Sequence, residues 1–157
     1  MKETMRQEGF SAELLEILDE VFDEDHGIFL DKGTSLFETL DQTSADVASA
    51  AIASGTVSIA AHVEHVILYL EVLGGHIAGE EIGEVDWGQI WERVNWVSNE
   101  EWDELRGRLR TTYTWLIDHL RTIDDWEQND AIGASIAIVA HTACHLGAIR
   151  QGLHAIG

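Results

Sequence analysis

The stretch from Ala131 to Leu153 holds no proline, is rich in Ala, Ile and Leu, and is apolar on nearly every side of a helical projection. A run of this length without a helix breaker reads as an α-helix. A helix apolar all round has no face to offer water, so it must be the most buried member of a helical assembly. The rest of the chain supplies partners for it. Ser11 to about Asp25 places Leu14, Ile17, Leu18, Val21 and Phe22 on one stripe, with Ser11 as a candidate N-cap. About Ser58 to His76 forms a second long helix, expected to stop at Gly74-Gly75 or shortly after, because two glycines are poor interior residues. The capping box Ser98-Asn-Glu-Glu101 opens a third, carrying Trp102, Leu105, Leu109, Tyr113, Leu116, Leu120 and Ile123 at three- and four-residue steps. Asp130 is a candidate cap for the fourth.

Shorter helices are expected at Thr34 to about Asp41 and Ser44 to about Ala53, the latter capped by Thr43 or Ser44. Gly27 and Gly33 bracket a turn, and Ser54-Gly-Thr56 leads into the second long helix. No segment alternates at strand period. Gly79 to Val97 is acidic and holds Trp87, Trp91 and Trp96, with a helical turn near Gln89–Arg93. Its indoles either cap the end of the core or wall a site. The expected fold is all-α: a four-helix bundle with one long crossover connection, in a single domain over residues 1–157.

The candidate chemistry lies in histidines. His141 and His145, four residues apart in Ala140-His-Thr-Ala-Cys-His-Leu-Gly147, share one helix face one turn apart. Such a pair can chelate a metal ion if a third ligand arrives from elsewhere. Thr142 stands where the zincin motif has its general-base Glu, so that motif is not matched. On the second long helix, Ile59, Val63, Val66, Leu70 and Leu73 form an apolar stripe, flanked by His62, His65, Tyr69, Val72 and His76. A polar aromatic stripe beside a core stripe suits a helix that lines a site inside a bundle. His65 lies mid-run, whereas His76 reads as a boundary residue half in water.

These residues carry a resemblance. Ser58 with His65 seven residues later, and His141, His145, Gly147 and Ile149 on the last helix, resemble the DinB-like (damage-inducible) superfamily of metal-binding four-helix bundles. Gly33-Thr-Ser-Leu-Phe-Glu-Thr-Leu40 extends the likeness towards the N-terminus. Val57 and Ala148 stand where the family often has Trp and Gln. The resemblance implies that His65, His141 and His145 hold one divalent transition metal, with His62 as the reserve ligand. Zinc or nickel suits such imidazoles best. It also implies a metal-dependent enzyme acting on a small molecule, either a thiol-dependent S-transferase or a hydrolase. The other reading is a non-catalytic, stress-related, dimeric metal-binding bundle.

Three neutral imidazoles leave coordination positions open, which is the pattern of a catalytic site. Either a water or a low-molecular-weight thiol could be activated there. Tyr69, one turn beyond His65, is the candidate proton donor, or else a packing residue. No Glu falls on the ligand faces. Cys144 neighbours His145 but points about 100° away on a helix, and is expected to be a small core residue rather than a nucleophile.

Charge narrows the partners. The 29 acidic residues against 9 basic give a net charge of −20. Such a surface repels nucleic-acid phosphates and anionic lipid, so neither is an expected partner. A homodimer is expected. The single cysteine rules out an intrachain disulfide framework and suits a reducing compartment. The polar, acidic start Met1-Lys-Glu-Thr-Met-Arg-Gln-Glu8 does not resemble a signal peptide, and uninterrupted apolar runs fall far short of ~20 residues, so a cytoplasmic protein without a membrane span is expected.

Overall fold

A computed structural model describes residues 2–52 and 57–156. Among these residues it contains seven α-helices: α1 (Lys2–Phe22), α2 (Leu36–Asp41), α3 (Ala45–Ser49), α4 (Ile59–Ile77), α5 (Ile90–Arg93), α6 (Asn99–Leu120) and α7 (Ala131–Ile156). Two strands of two residues each, β1 (Ala51–Ile52) and β2 (Val57–Ser58), pair antiparallel with Ala51 opposite Ser58 and Ile52 opposite Val57. The chain is thus mostly helical, as expected, but the pairing just before α4 was not. Strands this short carry no alternation to detect. The link at Ser54-Gly-Thr56 lies outside the described residues.

Helix ends follow local chemistry. Ser35 and Ser98 each accept from the backbone N–H three residues on, while Glu38 and Glu101 reach back to the serine N–H, completing two capping boxes. Ser44 caps α3 through Val47 N–H, and Ser58 caps α4 through Ala61 N–H. Ser11 caps nothing, since α1 begins nine residues earlier and runs through it. Asp130 is not a regular cap either. It lies in a 3₁₀ turn, Gln128–Asp130, with φ +50°, beside Asn129 at φ +51°.

The α4 helix passes through Gly74 and Gly75 and stops at Ile77. There the chain closes a Schellman turn: Gly79 at φ +77° donates to His76 O (3.0 Å), and Glu80 donates to Gly75 O (2.9 Å). Near the end of the helix Gly74 is tolerated because α6 presses on it, and Gly75 because Glu80 and Ile82 do. A Cβ on Gly74 would stand 2.5 Å from the Trp115 ring and 3.3 Å from Leu116. Close approach of two helices outweighs an intrinsic cost of ~1 kcal/mol.

Packing centres on α4, which lies against both α6 and α7, while α1 packs on α7. The expected stripes point inward: Leu14, Leu18, Val21 and Phe22 of α1; Ile59, Val63, Val66 and Leu70 of α4; Trp102, Leu105, Leu109, Tyr113, Leu116 and Leu120 of α6. Each such side chain contributes roughly 1.5–3 kcal/mol of burial. The arginines at 106, 108 and 110 are fasteners. Arg106 and Arg110 grip Asp41 (3.1 and 2.7 Å) and Arg108 grips Glu64 (2.8 Å), tying α6 to α2 and α4.

Glu20, unmarked in the sequence, orders the α1–α2 connection. Its side chain has no exposed surface, and its carboxylate accepts from the N–H groups of Ile28 (2.9 Å), Phe29 (2.7 Å) and Leu30 (2.6 Å). Burial works against the charge, but the backbone N–H groups win and hold its carboxyl below the usual range.

Two expectations about α7 change. Cys144 is exposed rather than part of the core, because α7 turns its buried face, Ser135, Ile138, Thr142, Leu146 and Ile149, the other way. The short apolar runs also understate the helix. Ser, Thr, His and Gly interrupt them without adding charge, so Gln128–Ile156 is long and apolar enough to cross a membrane by length and composition alone. In the fold this helix packs against α1 and α4.

Candidate metal centre

Helices α4 and α7 present their histidines to each other as a ladder. His62 and His65 lie one turn apart on α4, and His141 and His145 one turn apart on α7. The rungs pair 62 with 145 and 65 with 141, so the two helices run in opposite senses here. The i, i+3 and i, i+4 spacings are what allow the two pairs to face each other across the helices.

His65, His141 and His145 each bring a ring nitrogen to within 4.8 Å of the others. The converging atoms are Nε2: His65 to His141 is 3.1 Å, and His145 to His141 is 3.2 Å. With Zn–N bonds of about 2.0–2.1 Å, nitrogens at tetrahedral angles lie ~3.3–3.4 Å apart. The observed spacings are a little tighter and fall in the range that one ion would bridge. His65 is buried, and His141 and His145 are half-buried. Among the described residues the Nδ1 atoms of His65 and His141 have no hydrogen-bond partner, whereas that of His145 lies 2.7 Å from His62 Nδ1.

Electrostatics favour the neutral, ligating form. Burial, and then the neighbouring His65, push His141 down to about 4. Burial together with His141, His62 and His65 pushes His145 down to about 3. Burial lowers His65, and burial plus His65 lowers His62. Imidazoles that refuse a proton are ready-made ligands. The ligand set should therefore stay unprotonated well below the ordinary histidine range.

Aromatic rings build the walls. Trp91 of α5 stacks on His65 (centroids 4.4 Å, 14°) and meets His62 edge-on at 5.4 Å. Trp87 lies 5.9 Å from His65 and 5.7 Å from Tyr69. Two indoles of the Gly79–Val97 connection thus wall the cluster, while Trp96 is 70% exposed. Tyr69 stacks flat on His141, centroids 3.5 Å apart and 6° between planes, which is a packing contact. His76 is exposed, as expected. Among the described residues no carboxylate and no cysteine joins the cluster. The sequence offered the three indoles as core caps or as walls of a site, but which of them reach the histidines is a tertiary fact.

Compared with family models, with curated proteins and with solved structures, the chain matches none.

Proposed function

We propose that the chain is a four-helix bundle of DinB-like type that holds one divalent transition metal, zinc or nickel, through His65, His141 and His145, and uses it as a small-molecule enzyme. The observation that carries this reading is the meeting of three histidines from two helices, the Nε2 of His141 lying 3.1 Å from that of His65 and 3.2 Å from that of His145. Three histidine ligands leave coordination room for a reactant, which is the arrangement of a catalytic site. When bound, the ion would supply Lewis acidity to a water or to a substrate thiol. The chain's own part is to bind and to shield. Trp91 and Trp87 keep water from one side of the histidines, and Tyr69 fixes the plane of His141. No side chain among the described residues offers a carboxylate base in the cluster. That favours thiol transfer over hydrolysis, since a thiol brings its own nucleophile. The same lack of a base supports a second reading, a non-catalytic metal-binding bundle acting as a homodimer.

Elemental analysis of the purified protein tests the metal. About one equivalent of zinc or nickel per chain is expected, lost in His65→Ala, His141→Ala and His145→Ala. Full metal in all three variants would end the assignment. The cobalt form tests the thiol: a panel of neutral and anionic thiols should add a sulfur-to-metal charge-transfer band, and an unchanged spectrum would remove thiol transfer.

A further inference from the structure

The structure assigns to His62 the role of positioning residue for His145: its Nδ1 accepts the Nδ1–H of His145 and so dedicates the Nε2 of His145 to the metal. The assignment rests on the metal reading above and follows from proton counting. A neutral imidazole carries one N–H. Two ring nitrogens 2.7 Å apart must share one hydrogen, and the Nδ1 atoms of His62 and His145 are that close. If the Nε2 of His145 gives its lone pair to an ion, the hydrogen of that ring is on Nδ1. His145 then donates, the Nδ1 of His62 accepts, and the hydrogen of His62 is on its own Nε2. His62 therefore does not ligate through Nδ1, whose lone pair is spent on His145, and the cluster of converging nitrogens is made by His65, His141 and His145 without it.

The other two candidate ligands make the point sharper. The Nδ1 atoms of His65 and His141 are buried and have no partner among the described residues. His145 is thus the one of the three whose outer nitrogen the protein holds. Ligating histidines almost always have that nitrogen held, most often by a carboxylate, a backbone carbonyl or a water. Here a neutral imidazole does it, itself steadied edge-on by Trp91 at 5.4 Å. The arrangement adds no negative charge beside the ion.

Zinc affinity, measured by competition with a chromophoric chelator, separates the roles. His62→Ala should weaken binding by about 10–100-fold, the usual cost of losing such a partner, while His62→Asn, whose Oδ1 can replace the accepting nitrogen, should stay within about threefold of the native chain. In the zinc-loaded protein, long-range ¹H–¹⁵N spectra should show His145 protonated at Nδ1 and His62 at Nε2. A His145 protonated at Nε2 would overturn the assignment, as would a His62→Ala variant with native affinity. Loss of affinity in the Asn variant equal to that in the Ala variant would make His62 a ligand or a packing residue instead. Failure of the native chain itself to bind zinc would bring down the metal reading and the role of His62 with it, an outcome distinct from native binding that is indifferent to His62.

Discussion

Replacing Glu20 should cost more stability than any other single charge on this acidic chain. Its carboxylate accepts three backbone N–H groups, from Ile28, Phe29 and Leu30, at 2.6–2.9 Å. Hydrogen bonds to a charged acceptor are worth roughly 1.5–3 kcal/mol each, so three total several kcal/mol gross. Two effects reduce that sum. The carboxylate no longer has to be dehydrated, and water can reach the N–H groups once the thin turn over them loosens. A net loss of about 2–4 kcal/mol for Glu20→Ala follows, set against a typical domain stability of roughly 5–15 kcal/mol. Glu20→Gln keeps the acceptor oxygen for Phe29 and Leu30 but turns an amide NH₂ towards the Ile28 N–H, so it should lose about half as much. The pH dependence has a definite sign. The folded carboxyl is held below its ordinary value of 4.5, so its contribution is fully present above pH 4.5 and disappears as pH falls through the folded value. Both substitutions should therefore flatten the acid limb of the stability curve. Urea denaturation at several pH values measures this. A Glu20→Ala variant within ~0.5 kcal/mol of the native chain at neutral pH would refute the reasoning, because it would mean that the three N–H groups are satisfied without the carboxylate.

Further outcomes follow from the site and its supports. Metal, once loaded, should be retained through pH 5 and released as pH falls below about 4, since His141 and His145 take up protons only near 4 and 3; dialysis against buffers of falling pH, followed by metal analysis, reads this directly. In the metal-free protein the same lowered values mean that the unfolded chain binds more protons between about pH 6.5 and those values, so stability should decline across that window on acidification. Trp91→Ala should let water reach His65 and raise its titration midpoint towards the ordinary value, visible in the histidine Cε1–H shifts, because burial is what lowers it. Gly152→Ala should destabilise by about 1–3 kcal/mol, since the new Cβ would stand 2.5 Å from Cγ2 and 2.6 Å from the branched Cβ of Ile52, which cannot swing aside; thermal melts would show it.

Amino-acid order alone marked the long helices and the inward stripes of α1, α4 and α6. A stripe at three- and four-residue steps, as in α6 from Trp102 to Leu120, is a local property of the chain, and so are the Ser98–Glu101 and Ser44 caps. The H-x-x-x-H pair and His65 could be named for the same reason: side chains one turn apart on an apolar helix share a face whatever surrounds them. Other features were decided only when helices met. The packing of Gly74 against the ring of Trp115 is one, since the two lie far apart in sequence. The exposure of Cys144 depends on which side of a nearly all-apolar helix finds α1 and α4. Trp91 reaches His65, Glu20 reaches the 28–30 turn, and His62 reaches His145 across distances that no local pattern encodes. Periodicity tells a residue which way to point along its own helix, but the partner it meets is fixed by how helices pack, and there the ligating nitrogens, their orienting neighbour and their aromatic wall are chosen together.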